Sequence, residues 1–488
     1  MGGVAARLSE FGAWGLSNDE AWVALSTRVG GFHQFWLAIS LTPVAWAGLV
    51  KLFSLAFGGG EASLRAVSLL FGCLTMWAAF VAGRRFAGHP LGGVLALAVV
   101  AFDPLSISYS RILKHYTAET FFCLLAIDRA AAFAESRARR DLVLLALVLV
   151  GGLGFANSQL FLAPPILAAL LLDALLRRDR QSVRDVGILG VAVGVWFALY
   201  YLLMMAPRLP SASSDPYWRA QVYLSPSWDA ARTGWTHLSW PLAAALGARG
   251  LAVGLLCLGV ACVLRRQRVV GAALVLLVIE LAVLSMMRAV PVSQPRILLF
   301  VTAAVATFCA AAVGLVVARA WRRPALGIFA TVALAGLALD FVLAHQWRAL
   351  GKSILVQDAG PLVQRIERER QPGDTVVVHG NTTFIFAYYQ RSTPVLDPVP
   401  TRAVSVGYVP RPEDQHTLFV NDQILDAALL AALRASQRVW FVASRLRPSR
   451  ERRIRELLSR AGTTALDERR PGAFLVLLTP RSPTPAGP

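Results

Sequence analysis

Two adjacent carboxylates stand near the start of the chain, in the stretch GLSNDEAWVALS of residues 15–26. Neighbouring acids such as Asp19 and Glu20 are residue types that carry acid–base chemistry. They also fit a structural explanation, because Ser17 and Glu20 have the spacing of a capping box and acids favour the first turn of a helix. The residues alone leave the choice between helix cap and chemistry open.

A second chemical group lies in SRILKHYTAE, residues 110–119, which combines basic, aromatic and acidic side chains: Arg111, Lys114, His115, Tyr116 and Glu119. If this segment is helical, its three basic residues lie within one turn of each other. A cationic cluster beside a phenol at the lipid–water boundary suits a lipid phosphate. Side chains that snorkel to lipid headgroups explain the same residues.

Asp103 and Arg296 are further candidate site residues. Asp103 lies near the end of one apolar run, and Arg296 begins another. A carboxylate at that depth is a functional candidate by default, although Asp103-Pro104 also fits a helix break with a hydrated acid. Arg296 opens the run in VSQPRILLF, from where it can reach either an anionic ligand or a lipid headgroup.

The elements that position these side chains follow from the composition, since 56% of the 488 residues are hydrophobic and only 16% are charged. An average soluble protein is about one quarter charged. Long apolar runs alternate with short arginine clusters until about residue 345, after which the composition becomes ordinary. This pattern predicts a polytopic α-helical membrane protein with a C-terminal external α/β domain. The predicted units are an N-terminal external loop with juxtamembrane helices, a transmembrane domain, the α/β domain and a disordered tail: 1–63, 64–345, 346–480 and 481–488.

Ten apolar runs come close to the ~20 residues that a helix needs to cross a bilayer. The predicted spans are 64–86, 91–109, 116–134, 142–160, 161–176, 186–206, 241–264, 269–288, 296–318 and 324–343. The run 35–57 is apolar as well, but a span there would break the alternation of arginine-rich loops. We therefore expect it to be juxtamembrane or re-entrant, which Pro43 favours.

Arginine clusters occupy every second loop between the predicted spans, and the positive-inside rule places those loops in the cytoplasm. The protein is then expected in the plasma or inner membrane. Its external face carries the stretch 15–26, the stretch 110–119 and the whole tail. This rule also explains the net charge of +19, so no nucleic-acid partner is inferred. No apolar helix precedes Ser17, and we expect a first span upstream of the given start.

The tail has the pattern of an α/β domain, with apolar strand-like runs at 374–380, 439–444 and 473–478 and a helical pattern at 449–462. The five cysteines all lie in apolar segments, so the sequence predicts no disulfide framework and no cysteine-based metal site. An internal repeat, the mark of many transporters, is not found.

In order and topology, several motifs resemble the GT-C-fold glycosyltransferases of the protein O-mannosyltransferase and lipid A aminoarabinose-transferase superfamily, glycosyltransferase family 39. An Asp-Glu pair, here Asp19-Glu20, is followed by a proline-containing juxtamembrane stretch. The later motifs are FGGGEASLRAVSLLFGCLT (57–75), YSRILKHYTAE (109–119) and PGDTVVVHGNTTFIFAYY (372–389). The resemblance implies a GT-C fold of about ten spans.

The same resemblance implies roles for individual residues. Asp19 would be the general base and Glu20 a supporting acid that positions the acceptor. Lys114 and Tyr116 would hold the phosphate of a lipid donor, assisted by Arg296. Arg111 is a further candidate phosphate ligand, and Asp103, His115 and Glu119 are candidate supporting residues. Ile297 follows Arg296 where the family often has tyrosine.

A polyprenyl-phosphate sugar already carries its leaving group, so one base and a cationic clamp are sufficient for transfer. The predicted function is inverting transfer of a sugar to an extracytoplasmic glycan, lipid or protein. Two other functions remain open: a flippase that uses the phosphate clamp without a base, and a non-catalytic membrane scaffold. A divalent metal beside Asp19 and Glu20 is compatible with the sequence, but no ligand cluster requires one.

Overall fold

The computed structural model describes most of the chain. The described residues are 2–39, 41–206, 223–225, 227–229, 232, 261, 264, 266–291, 294, 296–328, 356–390, 396–398, 408–410, 416–421 and 424–479. The predicted span at 241–264 lies almost entirely outside them, as do most of the span at 324–343 and the tail 481–488.

All secondary-structure elements that the structure describes up to Ala320 are helices. Four helices precede the first predicted span: α1 (Gly2–Leu8), α2 (Asn18–Arg28), α3 (Phe32–Ala38) and α4 (Val44–Phe57). The bundle continues with α5 (Glu61–Ala87), α6 (Pro90–Phe102), α7 (Pro104–Ser110), α8 (Tyr116–Ser136), α9 (Arg139–Leu153), α10 (Gln159–Leu176), α11 (Arg180–Tyr200), α12 (Arg268–Met286) and α13 (Leu299–Ala320). A π-helical turn, Tyr201–Met205, prolongs α11.

Five of the described helices are long and apolar enough to cross a membrane: α5, α10, α11 with its π turn, α12 and α13. A sixth span results if α6 and α7, which meet at a 63° bend, are counted together. The predicted span 91–109 is therefore broken at Asp103, which caps the N-terminus of α7 instead of continuing the helix. The total of about ten spans stays a prediction.

Two predicted spans differ from the described helices: α8, at the predicted span 116–134, is not among these candidate spans, and the next is shortened. The predicted span 142–160 is shorter, because α9 ends at Leu153 beside a cluster of glycines. The run 35–57 forms two helices that separate before Pro43, which suits a proline because its ring and missing N–H interrupt a helix. The longer of them, α4, has 14 residues.

Close packing of α5, α6 and α13 forms the centre of the bundle. A Cβ on Gly92 would lie 2.3 Å from the Ala87 side chain and 2.8 Å from the Gly83 carbonyl, and a Cβ on Gly314 would lie 2.5 Å from Gly92 itself. Small residues let helix backbones approach this closely inside a membrane. The three helices thus form a rigid frame.

Arginine-rich helix ends gather at one end of this frame. Arg85 pairs with Glu135 at 3.0 Å, Gln267 donates to the same Glu135, and Arg137 pairs with Asp173. Tyr116 begins α8 and Glu135 lies near its other end, and a 21-residue helix is about 30 Å long. The stretch 110–119 therefore lies at the end of the bundle opposite the arginines.

The C-terminal region forms a five-stranded mixed sheet with strand order β4-β1-β5-β7-β6. Its strands are β1 (Thr375–His379), β4 (Thr417–Val420), β5 (Val439–Ser444), β6 (Thr463–Arg470) and β7 (Ala473–Thr479), and β2 (Leu396–Pro398) pairs separately with β3 (Tyr408–Pro410). The helices of this region are α14 (Gly360–Glu369), α15 (Thr383–Tyr389), α16 (Leu425–Ala435) and α17 (Pro448–Ala461). The three apolar runs in the tail are strands and the pattern at 449–462 is a helix, so the predicted α/β fold is confirmed.

This region packs on the end of the bundle that carries the stretch 110–119. The Tyr389 hydroxyl donates to Glu61 at the start of α5 at 2.6 Å and accepts from the Leu16 N–H at 2.9 Å. β1 and β5 run parallel, and their carboxyl ends face α2. In parallel sheets this edge is where ligands commonly bind.

Candidate active site

A cavity of about 890 Å³ lies where the bundle meets the C-terminal region. The structure brings six of the sequence-predicted site residues to its walls: Asp19, Lys114, His115, Tyr116, Glu119 and Arg296. They come from α2, from the segment before α8, from α8 itself and from the turn before α13. Residues distant in sequence therefore meet in one concave, polar site.

The start of helix α2 is fixed by the C-terminal region and by its own cap. The Asn18 N–H donates to Gln357 Oε1 at 2.9 Å, and Asn18 Oδ1 accepts from the Phe384 N–H at 3.0 Å. The predicted capping box is present, since Glu20 Oε2 accepts from the Ser17 N–H at 2.9 Å. The first turn of α2, which carries Asp19, is thus held against the C-terminal region.

Glu20 faces the protein interior, where its carboxylate forms a bidentate pair with Arg65 at 2.7 and 3.0 Å. Its Oε1 also accepts from the Leu113 N–H at 2.7 Å. The side chains of Glu20 and Arg65 are only 2% and 5% exposed. Burial alone would raise the pKa of Glu20, but Arg65 and these hydrogen bonds hold it below its usual range. Glu20 therefore links α2 to α5 and to the segment that carries Lys114.

Lys114 is held by its backbone at the cavity wall. Its carbonyl accepts from Ser68 Oγ at 2.9 Å, and its ammonium lies 4.9 Å from the centre of the Trp22 ring. Burial lowers the pKa of Lys114 below its ordinary value, against the opposing influence of Asp19. The ring stabilises the buried ammonium, and an anion that displaces water from the cavity can bind to it.

Asp19 points into the cavity and meets two guanidinium groups. Its Oδ2 lies 3.4 Å from Arg296 Nη1 and 3.6 Å from Arg445 Nη1, and its side chain is 38% exposed. Burial would raise the pKa of Asp19, but Lys114, Arg296 and Arg445 together hold it below the usual value. The two adjacent acids of the sequence therefore differ: Glu20 is internal and Asp19 faces the cavity.

The sequence analysis missed lining residues of the bundle, such as Trp22 and Asn157, and all those from the C-terminal region. Asn381 follows β1, and Arg445, Arg447 and Arg450 follow β5 at the start of α17, where they line the cavity. Their position after two parallel strands was the available signal, because such strand ends meet at one edge of a sheet. Among the many arginines of this chain, however, nothing else distinguishes these three.

Arg111 and Asp103 lie outside the cavity lining. The five residues before α8 form turns and bends rather than a helix, so the helical spacing that would cluster Arg111 with Lys114 does not apply. Arg111 instead donates to the Ala6 carbonyl and to Ser9 near the N-terminus. Asp103 accepts from the Leu105 and Ser106 N–H groups as the cap of α7.

His115 and Glu119 meet at the side of the cavity formed by the bundle, with Nε2 and Oε1 3.5 Å apart. Burial lowers the pKa of His115 to about 3, and the charges of Lys114 and Arg296 add to this effect. The imidazole is therefore neutral at physiological pH. Among the described residues, no group of three His, Cys, Asp or Glu side chains is placed to hold a metal ion.

The arrangement is suited to a displacement in which a proton-bearing nucleophile replaces an anionic leaving group. Lys114 and Arg296 supply positive charge from the bundle, and Arg445 supplies it from the C-terminal region. Asp19 lies among them as a carboxylate. Positioned cations stabilise a departing phosphate, and a positioned carboxylate accepts a proton.

Comparison with known proteins bears on the family and the fold. A family model described as dolichyl-phosphate-mannose-protein mannosyltransferase matches residues 42–202. A comparison with curated protein sequences found no match.

Solved structures share the fold over nearly the whole chain. ArnT from Cupriavidus metallidurans in the apo state has a TM-score of 0.58 at 12% identity, with 97% of this chain and 96% of that chain covered. The same protein bound to undecaprenyl phosphate has a TM-score of 0.55 at 14% identity, with coverage of 100% and 98%. An oligosaccharyltransferase from Archaeoglobus fulgidus has a TM-score of 0.53 at 12% identity, covering 88% of this chain and 66% of that one. The GT-C fold and the resemblance to its superfamily are confirmed.

Proposed function

We propose that this multi-pass membrane protein, which has the GT-C fold of the protein O-mannosyltransferase and aminoarabinose-transferase superfamily, is an inverting glycosyltransferase. It would move a sugar from a polyprenyl-phosphate donor to a glycan, lipid or protein acceptor. The observation that carries the proposal is that Asp19 faces Lys114 and Arg296 across one cavity. The undecaprenyl phosphate in the ArnT structure supports a polyprenyl-phosphate donor here.

The reaction is a single displacement at the anomeric carbon. Asp19 accepts the proton of an acceptor hydroxyl or amine, whose lone pair forms the new bond to the anomeric carbon. The bond from that carbon to the phosphate oxygen breaks, and its electron pair leaves with polyprenyl phosphate. Lys114 and Arg296 stabilise the departing phosphate. One displacement inverts the centre, so a β-linked donor gives an α-linked product.

We propose that the cavity opens on the external face of the plasma or inner membrane. The arginine-rich helix ends gather at the opposite end of the bundle, where the positive-inside rule expects the cytoplasm. A polyprenyl-phosphate sugar in the outer leaflet would then reach the cavity from the lipid. No nucleotide is needed on that side, since the lipid phosphate is the leaving group.

Replacement of Asp19 tests the proposal directly. Membranes that contain the protein receive a panel of polyprenyl-phosphate sugars labelled in the sugar, and label in acceptor and released polyprenyl phosphate are measured. We expect Asp19→Asn to lower transfer by roughly 10²- to 10⁴-fold, the usual contribution of a general base. The exposed acid Glu10 supplies the matched control Glu10→Gln, which should transfer normally.

Two outcomes would contradict the proposal. Transfer by Asp19→Asn at the rate of Glu10→Gln would remove Asp19 as the base. Movement of labelled lipid between leaflets, without its consumption by the wild-type protein, would favour a flippase.

A further inference from the structure

Arg445 reaches the cavity from a constrained backbone. It follows the last residue of β5 with φ of 53°, a left-handed conformation that is unfavourable for residues with a Cβ atom. Its N–H donates to the Gly472 carbonyl at 2.8 Å, which anchors the position to the turn before β7. The sheet therefore holds the backbone in a conformation that directs the side chain towards Asp19.

Arg296 approaches Asp19 from the bundle. The same oxygen, Asp19 Oδ2, receives Arg296 and Arg445, so each of the two regions that form the cavity contributes one guanidinium group. Lys114 adds a third positive charge, while Arg447, Arg450, His115 and Glu119 face the same space. A carboxylate surrounded by cations is a weak proton acceptor, because its charged form is stabilised.

Both contacts of Asp19 are long. Charge-assisted hydrogen bonds between guanidinium and carboxylate groups usually measure about 2.7–2.9 Å, whereas these measure 3.4 and 3.6 Å. The Asp19 side chain is also 38% exposed and that of Arg445 is 42% exposed. The pair with Arg445 is therefore solvated and weak, and the pair with Arg296, whose side chain is 13% exposed, is long for a charge-assisted bond. A better anion can replace the carboxylate at both.

A phosphate is such an anion, since its tetrahedral oxygens accept paired hydrogen bonds from guanidinium groups. We infer, on the basis of the proposed transfer reaction, that the donor phosphate takes Arg296 and Arg445 from Asp19. Donor binding then completes the phosphate site and frees the base in one step. Arg445 thereby becomes a donor ligand supplied by the C-terminal region, and the donor binds before the acceptor is activated.

Binding of undecaprenyl phosphate to the purified full-length protein tests this exchange without any transfer. If Asp19 competes with phosphate, Asp19→Asn binds undecaprenyl phosphate about tenfold more tightly than the wild type. Any change to a carboxyl group of the cavity can alter anion binding, so Glu119→Gln is the matched control. Glu119 lines the same cavity, but its described partner is the neutral imidazole of His115 rather than an arginine.

Glu119→Gln should change the affinity less than about threefold. The inference is overturned if Asp19→Asn binds no more tightly than the wild type, or if Glu119→Gln gains as much. Failure of the transfer proposal would show differently, as full sugar transfer by Asp19→Asn. The two failures are therefore distinguishable in one set of proteins.

Arg445 has its own test, with Arg447 as the matched control on the same wall. Arg445→Gln should lower the affinity for undecaprenyl phosphate about tenfold, the value of one charge-assisted hydrogen bond, and Arg445→Lys should restore part of it. Arg447→Gln should stay within about threefold of the wild type. Equal losses in the two glutamine variants would show a general positive wall and overturn the assignment of Arg445.

Discussion

On the bundle side of the cavity, Glu20 and Arg65 meet at 2.7 Å with side chains 2% and 5% exposed. On the side formed by the C-terminal region, Arg445 reaches Asp19 over 3.6 Å and is 42% exposed. Both are pairs of a carboxylate and a guanidinium, but only the first is closed off from solvent. The buried pair fixes the geometry of the cavity, and the solvated pair is able to exchange partners.

The difference has a clear physical basis. Removal of one partner from a buried pair leaves an uncompensated charge in a medium of low polarity, whereas a solvated charge regains water. The neighbouring acids Asp19 and Glu20 therefore have different roles. Glu20 supports the fold around the site, and Asp19 is available for its chemistry.

The largest expected effect is on stability, from Glu20→Ala. It leaves the Arg65 guanidinium buried without its carboxylate, which costs about 3–5 kcal/mol for buried pairs. It also removes the acceptor of the Leu113 N–H next to Lys114. We expect lower yield and a lower melting temperature in detergent, with activity lost as a consequence of unfolding.

A double substitution provides the control for this prediction. Glu20→Leu combined with Arg65→Met removes both charges and should recover much of the stability lost by Glu20→Ala, since apolar replacement of a buried pair is often neutral. Asp19→Asn should melt like the wild type. A melting temperature for Glu20→Ala equal to that of Asp19→Asn would erase the contrast between the two pairs.

Sequence patterns predicted much of the frame. Apolar runs predicted α5, α8 and several neighbouring helices, and short continuous apolar runs predicted β1, β5 and β7. These elements are encoded locally, because hydrophobic periodicity and length determine them. The capping box was also visible in the sequence, since its two members are three residues apart.

Long-range pairs could not be predicted in the same way. Arg65 belongs to the motif at residues 57–75 and lies inside a predicted span. A charge at such a position indicates a partner, but the sequence did not identify which residue it is. Arg445 carried only the signal of its position after a strand, which many arginines of this chain could share. Arg111 was misplaced because the helical spacing assumed for it does not exist in the segment before α8.

A smaller effect concerns how the two walls respond to alkaline pH. Burial lowers the pKa of Lys114, so its ammonium loses its proton as the pH rises through a value below that of an ordinary lysine. Donor affinity should therefore fall on the alkaline side before the arginines of the other wall lose any charge.

Lys114→Arg checks this interpretation. The guanidinium stays charged, so the alkaline fall in donor affinity should disappear, although affinity at neutral pH drops about threefold to tenfold because the shape of the ligand changes. The measurement is the donor KM between about pH 7 and 10. An alkaline fall of the same size in Lys114→Arg would assign it to another group.

The smallest expected effect is an absence of titration near neutral pH. The pKa of His115 is held at about 3 by burial and by the charges of Lys114 and Arg296, so the ring is neutral from about pH 5 to 8. The pKa of Asp19 is lowered as well, so its carboxylate stays mostly ionised when the pH falls to the pKa of an ordinary aspartate. The profile of kcat/KM for the donor, which reports the free enzyme, should be flat from about pH 5 to 7 in the wild type and in His115→Gln.

The profile of kcat at saturating donor separates the two states of Asp19. If the phosphate takes the arginines, Asp19 loses two stabilising charges and its pKa rises, so the acid limb of kcat lies at higher pH than that of kcat/KM. A common acid limb for both profiles would mean that Asp19 keeps its arginines when the donor binds. A step near pH 6.5 that disappears in His115→Gln would mean that the bundle wall is better solvated than its buried side chains imply.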